Sequence, residues 1–79
     1  MNQKNLLQLE QGEKAKVIDF DRGFGFRNKL LDIGIRPGKK IRKISQTFLG
    51  GPVTIEIDNS KVAIGQKMAS RILVEVEVN

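Results

Sequence analysis

Pairs of acidic side chains are the groups in this sequence with the best spacing for holding a metal ion. Each pair has one residue between its members, and the pairs are Asp19 and Asp21, Glu56 and Asp58, and Glu75 and Glu77. On a strand, residues two apart lie on the same face. However, the 79-residue chain has no histidine and no cysteine, and imidazole and thiolate are common ligands of transition metals. We therefore expect the pairs to be solvated, and we predict no metal site and no cofactor.

The same absences remove most routes to catalysis. Neither a Ser/His/Asp nor a Cys/His set can be assembled, and the glycines do not form the phosphate-binding pattern G-x-x-x-x-G-K-[ST]. An arginine acting in trans on a partner GTPase is chemically possible, and Arg22 and Arg27 beside a glycine-rich stretch are the candidates. Ordinary surface arginines are the simpler interpretation, so we predict a protein that is not an enzyme and has no catalytic residues.

Positive charge is concentrated in one part of the chain. The net charge is +5, and residues 27–43 hold seven basic residues against one acidic residue. A patch of this kind suits an acidic protein surface, anionic lipid or nucleic acid, or it is a solvated face without a partner. Single-stranded nucleic acid is usually bound with aromatic side chains on which bases stack, and all four aromatic residues here are phenylalanine. Nucleic acid is therefore the less favoured partner.

Two phenylalanines among glycines suggest where a partner protein could bind. Phe24 and Phe26 lie at the junction where a predicted strand gives way to a predicted helix, and they either complete the core or leave one ring exposed. In the second case an exposed ring and Leu49, at a hairpin tip, would form an apolar contact ringed by cations. Aromatic and arginine anchors are the usual energetic centre of an interface. The predicted partner-binding residues are Phe24, Phe26, Lys39, Arg42, Lys43 and Leu49.

The pattern of apolar residues predicts short strands and few helices. A strand is expected over 14–20 and a helix over 24–33, which ends where Gly34 adopts a left-handed conformation and places Ile35 against Leu30. Pro37-Gly38 fits the two central positions of a type II turn.

The second half of the chain is predicted to be mostly strand. Strands are expected over 39–48, 53–58, 61–64 and 72–78, with a helical turn over 66–71. Ile41 and Ile44 are three residues apart, which requires a bulge near residues 42–43. The leucines at positions 6, 7 and 9 should lie against the core as an apolar lead-in. The helices are too few for parallel crossovers, so we predict a mainly β fold, an antiparallel and partly open barrel, formed by one domain over 1–79.

Two segments resemble the FeoA-like family, the ferrous iron transport protein A. The first runs from Arg27 to Gly38, where a helix ending in leucines is followed by Ile33-Gly34-Ile35 and Pro37-Gly38, and the second is the hairpin sequence of residues 49–53, L-G-G-P-V. The resemblance implies an SH3-like barrel. This sequence departs from the family pattern at Lys43, where an apolar residue is usual.

The resemblance also implies a function. It suggests a small cytoplasmic accessory or regulatory protein that binds the cytoplasmic part of a membrane ferrous iron transporter carrying a GTPase domain. The alternatives are a nucleic-acid-binding small barrel and a metalloregulator-type domain acting in trans. A cytoplasmic location agrees with the lack of a leader or an apolar stretch of about 20 residues. Exposed strand edges would allow a homo-oligomer, and direct membrane insertion is not expected.

Overall fold

The computed structural model describes residues 3–20, 27–47 and 49–77, and of residues 27–29 only the main chain. The strands are β1 (Gln3–Asn5), β2 (Lys14–Phe20), β3 (Lys40–Gln46), β4 (Val53–Ile57), β5 (Ser60–Ile64) and β6 (Ile72–Val76). The helices are α1 (Arg27–Asp32), α2 (Gln66–Ala69) and one 3₁₀ turn, Leu6–Gln8. The strands form one antiparallel sheet in the order β1-β6-β2-β3-β4-β5. This confirms the mainly β, SH3-like barrel with its two short helices.

Strand β1 was not predicted, because its three residues are polar and show no alternation. It pairs with β6 at the edge of the sheet and leads into the 3₁₀ turn. Asn5 starts that turn: its side chain accepts a hydrogen bond from the Gln8 N–H at 3.1 Å, and the Gln8 side chain accepts one from the Asn5 N–H at 2.8 Å. This reciprocal cap directs Leu6 and Leu9 into the core, where both are buried, as the lead-in prediction requires.

A bulge in β2 corrects the predicted alternation of that strand. The simple alternation places Ala15 and Val17 on one face and Phe20 on the other. The pairing with β6 shifts register between Val17 and Asp19, and a bulge of this kind inserts one extra residue into the strand. As a result Phe20 also faces the core and is only 4% exposed.

Strand β3 contains the second bulge. Its pairing with β4 shifts between Lys43 and Ser45, so the irregularity lies just beyond the predicted position at residues 42–43. Before the bulge, Ile41 and Lys43 point inward and Arg42 points outward. The bend helps the six-stranded sheet to curve around a small core.

The turn after α1 was predicted correctly in its details. Gly34 has φ +93°, its N–H donates to the Leu31 carbonyl at 3.0 Å, and the Ile35 N–H donates to the Leu30 carbonyl at 2.9 Å. These two bonds define a Schellman motif, and they place Leu30 and Ile35 in the core, both fully buried. The predicted helix start, at residues 24–26, lies outside the described residues.

The Pro37-Gly38 turn is also confirmed. Gly38 has φ +91°, and the Lys39 N–H donates to the Arg36 carbonyl at 3.1 Å, as in a type II turn.

Among the residues that the structure describes, none of the helices could span a membrane.

Candidate functional site

The tip of the β3–β4 hairpin exposes an apolar side chain completely. The Thr47 N–H donates to the Pro52 carbonyl at 3.2 Å and closes the loop at its base. Within this loop Leu49 has φ +61° and a side chain that is 104% exposed. A left-handed backbone costs an L-amino acid about 1–2 kcal/mol, and a solvated leucine recovers nothing from burial. Strained residues of this kind cluster at functional sites, so Leu49 is a candidate.

Two glycines make this loop possible. Gly50 has φ +81°, a backbone conformation that glycine adopts without a steric penalty. Gly51 approaches Thr47 so closely that an added Cβ would lie 2.5 Å from the Thr47 Cβ. The Gly50-Gly51 pair therefore supports the presentation of Leu49, and the requirement for Gly51 is visible only in three dimensions.

Lys43 is not part of an exposed ring of cations, so that expectation is wrong. Its side chain is 3% exposed. The ammonium donates to the carbonyl of Leu7 at 3.0 Å, to the carbonyl of Leu9 at 2.6 Å and to the side-chain oxygen of Gln46 at 2.6 Å. An ammonium has three N–H donors, and all three are used. The inward orientation of this β3 position, together with the carbonyls of Leu7 in the 3₁₀ turn and of Leu9 just after it, explains why a lysine is held here.

Electrostatics around Lys43 involve two neighbouring charges. Burial lowers the pKa of Lys43 from its usual value, the negative charge of Glu13 opposes this, and the positive charge of Lys4 lowers the pKa further. The Glu10 N–H donates to the Glu13 carboxylate at 2.7 Å and is the main reason that the pKa of Glu13 is lowered, although partial burial opposes it. Lys4 adds an ion pair to Glu13 at 3.2 Å, which lowers the pKa of Glu13 further.

Three other cations of the basic stretch pair with acids from neighbouring segments. The ion pairs are Lys39–Asp58 at 2.6 Å, Lys40–Glu77 at 3.7 Å and Arg42–Glu56 at 3.2 Å. Exposed pairs of this kind contribute little stability, but they neutralise the local charge. The sheet topology thus breaks up much of the cationic surplus that the sequence concentrates in residues 36–43.

The structure brings together only part of the predicted partner-binding surface. Lys39 precedes β3 and Leu49 follows it, so about 20 Å of strand separates them. Arg42 lies on the outer face of β3, between the two. Phe24 and Phe26 lie outside the described residues. The surface that remains is the hairpin tip with Leu49, and the buried Lys43 and the exposed Gln46 form a hydrogen bond at its base. No pattern in the sequence indicated this role of Gln46.

The acidic pairs do not converge. Glu56 and Glu77 form ion pairs with Arg42 and Lys40. The Asp19 carboxylate accepts a hydrogen bond from the Phe20 N–H at 2.8 Å, and Asp21 lies outside the described residues. Across 3–20, 27–47 and 49–77 there is no group of three or more acidic, histidine or cysteine residues that could hold a metal ion.

Comparison with known proteins gives a consistent family. The model of the FeoA domain matches residues 4–76. A relative from Methanocaldococcus jannaschii, named as an Fe(2+) transport protein A, is 36% identical over 66 residues, which cover 84% of this chain and 78% of the relative. A protein of the same name from Campylobacter jejuni is 27% identical over 71 residues, with 90% and 96% of the two chains covered.

Solved structures agree with the sequence comparison. A crystal structure of an iron uptake regulatory protein (FeoA) superposes with a TM-score of 0.86 at 28% identity and covers 95% of this chain and 99% of the other. The FeoA-like protein from Clostridium acetobutylicum has a TM-score of 0.88 at 26% identity, with 100% and 92% covered. A manganese-dependent transcriptional repressor shares only the fold, at 20% identity and with 42% of its chain covered. The family match over nearly the whole chain, together with these relatives, shows that this protein belongs to the FeoA domain family of small proteins related to ferrous iron transport.

Proposed function

We propose that this chain is a non-enzymatic docking subunit of ferrous iron uptake, which binds the cytoplasmic part of a membrane ferrous iron transporter that carries a GTPase domain. The family supports the connection with iron transport. Because the proposed partner domain is cytoplasmic, this chain acts in the cytoplasm under the proposal. Residues 1–79 act as one domain.

The observation that carries the proposal is the exposure of Leu49. The two exposed large apolar side chains among the described residues are Leu49, at 104%, and Leu73, at 37%. Leu49 alone stands on a left-handed backbone at a hairpin tip. A few side chains that enter well-packed pockets on the partner supply most of the binding energy of an interface, and a fully exposed side chain at a hairpin tip is free to enter one. The hairpin is therefore the proposed point of contact.

The nucleic-acid alternative receives less support from the geometry. Phosphate binding requires unpaired cations on one surface, whereas Lys39, Lys40 and Arg42 are paired with acids and Lys43 is buried. A regulator acting in trans is supported only by a likeness of fold to the repressors. The experiment below distinguishes the proposal from the nucleic-acid alternative.

The proposal is tested by binding of the full chain to the purified cytoplasmic domain of the transporter from the same organism. Binding is measured with and without guanine nucleotide, at two salt concentrations. We expect saturable binding that survives the higher salt and weakens about 30-fold in Leu49→Ala, as an interface anchor should.

Leu73→Ala is the matched control, because it truncates the other exposed leucine. Leu73 lies far from the hairpin. It pairs with Asp19 near one end of β2, whereas the hairpin extends from β3 beyond Lys14, at the other end of β2. Absence of binding in every nucleotide state would overturn the proposal. Binding to DNA or RNA that weakens steeply with salt would instead favour the nucleic-acid alternative.

A further inference from the structure

Lys43 occupies a position that the sheet would otherwise fill with an apolar side chain. It pairs with Ile55 across β3 and β4, and it shares the inward face of β3 with Ile41. Both neighbours are buried. Burying an ammonium is costly unless each of its donors finds an acceptor, so its presence here requires an explanation beyond packing.

The three acceptors of Lys43 come from two separate parts of the chain. Leu7 and Leu9 belong to the segment that follows β1, and Gln46 is the last residue of β3. The main chain of Lys43 adds two hydrogen bonds to the N-terminal segment. Its carbonyl accepts from the Gly12 N–H at 2.7 Å, and its N–H donates to the Glu13 carbonyl at 3.0 Å. Lys43 thus connects the N-terminal segment to the base of the β3–β4 hairpin.

Gln46 lies directly before the residue that closes the hairpin loop. It pairs with Val53, and the next residue, Thr47, donates its N–H to Pro52. Because an irregular step separates Lys43 from Ser45, the ladder between β3 and β4 is interrupted just before the hairpin. The bond from Lys43 to Gln46 spans this interruption with a side-chain contact.

We propose that Lys43 is the positioning residue of the docking hairpin: its ammonium fixes the hairpin base against the segment of residues 7–9, so that Leu49 is held in one orientation. The docking role of Lys43 rests on the proposed function. Its effect on the orientation of the hairpin does not, because that effect can be measured in the free protein.

The first measurement is amide hydrogen exchange of the free chain. The Thr47 amide reports on the hairpin base, and the Val17 amide, which donates to the Lys39 carbonyl at 2.8 Å far from the hairpin, reports on the remainder of the sheet. In Lys43→Met we expect Thr47 to exchange about tenfold faster relative to Val17, as the loss of a charge-assisted hydrogen bond implies. Lys61→Met makes the same chemical change at an exposed position and should leave the ratio unchanged.

Gln46 gives a second test that does not disturb the core. Gln46 is exposed, so Gln46→Ala removes one acceptor and keeps the bonds to Leu7 and Leu9. This variant should raise the Thr47 ratio by a similar factor even where Lys43→Met does not fold. Gln46→Glu keeps an acceptor oxygen and should retain the ratio of the unmodified protein. A ratio that stays within about twofold in Gln46→Ala overturns the inference.

The second measurement connects positioning to docking. If Lys43 acts through Leu49, Lys43→Met weakens binding to the transporter domain in the unmodified chain but not in the Leu49→Ala background. Equal weakening in both backgrounds would overturn a role through the hairpin. If the unmodified chain does not bind at all, the proposed function fails, and the Thr47 exchange ratio still decides whether Lys43 positions the hairpin.

Discussion

The two hairpins on either side of β4 solve the same geometric problem in different ways. The β4–β5 turn has Asp58 and Asn59 at φ +51° and +66°, and these are residue types that tolerate a left-handed backbone and suit a two-residue turn. The β3–β4 loop puts Leu49 in the same region of the Ramachandran map, where leucine is strained. The residue types of the first hairpin favour the turn that it forms. The second places a strained leucine with its side chain in solvent, and this difference is the reason that we propose the β3–β4 hairpin as the docking point.

The largest effect on this comparison should come from Gly51→Ala. The added Cβ would lie 2.5 Å from the Thr47 Cβ, so the loop must open or its main chain must shift. We expect the free energy of unfolding, measured by urea denaturation, to fall by about 1–3 kcal/mol. Gly65→Ala is the control for steric contact, because no atom lies within 4 Å of its added Cβ, and we expect a smaller loss there, from the weaker N-cap of α2 alone. An unchanged stability in Gly51→Ala would show that the loop does not depend on this close approach.

Truncation at the left-handed positions should separate folding from docking. Asn59→Ala should reduce the free energy of unfolding by about 1 kcal/mol, since alanine lacks the tolerance of asparagine for a left-handed backbone. Leu49→Ala should change stability by less than about 0.5 kcal/mol, because an equally strained and fully exposed residue replaces another. Thermal and urea unfolding measure both. A large loss in Leu49→Ala would mean that the side chain packs within the protein.

Relief of the strain at Leu49 should stabilise the chain and weaken docking. In Leu49→Gly the left-handed penalty disappears, while the flexible unfolded chain offsets part of the gain, which leaves about 0.5–1 kcal/mol of added stability. The melting temperature and the affinity for the transporter domain should therefore change in opposite senses. A variant that is both more stable and equally tight in binding would contradict the functional reason for the strain.

Acid should weaken the region beneath the β3–β4 hairpin. The pKa of Glu13 is lowered from 4.5, so the folded state holds this carboxylate in its charged form more strongly than the unfolded state does. The resulting stability is present above pH 4.5 and is lost as the pH falls through the lowered pKa. Glu13→Gln should therefore show a flatter fall in the free energy of unfolding below pH 4.5. If the free energy of unfolding depends on pH identically in the two proteins, ionisation of Glu13 does not stabilise the folded state.

Most strand positions and both turns next to α1 could be predicted from local sequence. The strand over 14–20 was correct to the residue, and the bonds around Gly34 follow the predicted helix end. The bulges were harder to place, since a bulge is a property of two paired strands. Leu49 was correctly predicted at a hairpin tip, but the requirement for Gly51 depends on how closely the loop approaches Thr47.

The sequence by itself determined the local features, namely the helix end at Gly34, the Pro37-Gly38 turn, five of the six described strands and the family to which they belong. These depend on residues that are neighbours in the chain, so their physical causes lie within short segments. Only the tertiary structure decided that Lys43 is buried and that the acids of β4 and of the segment after β6 meet the cations of β3. Such contacts join residues far apart in sequence, and they exist only after strand order and register are set.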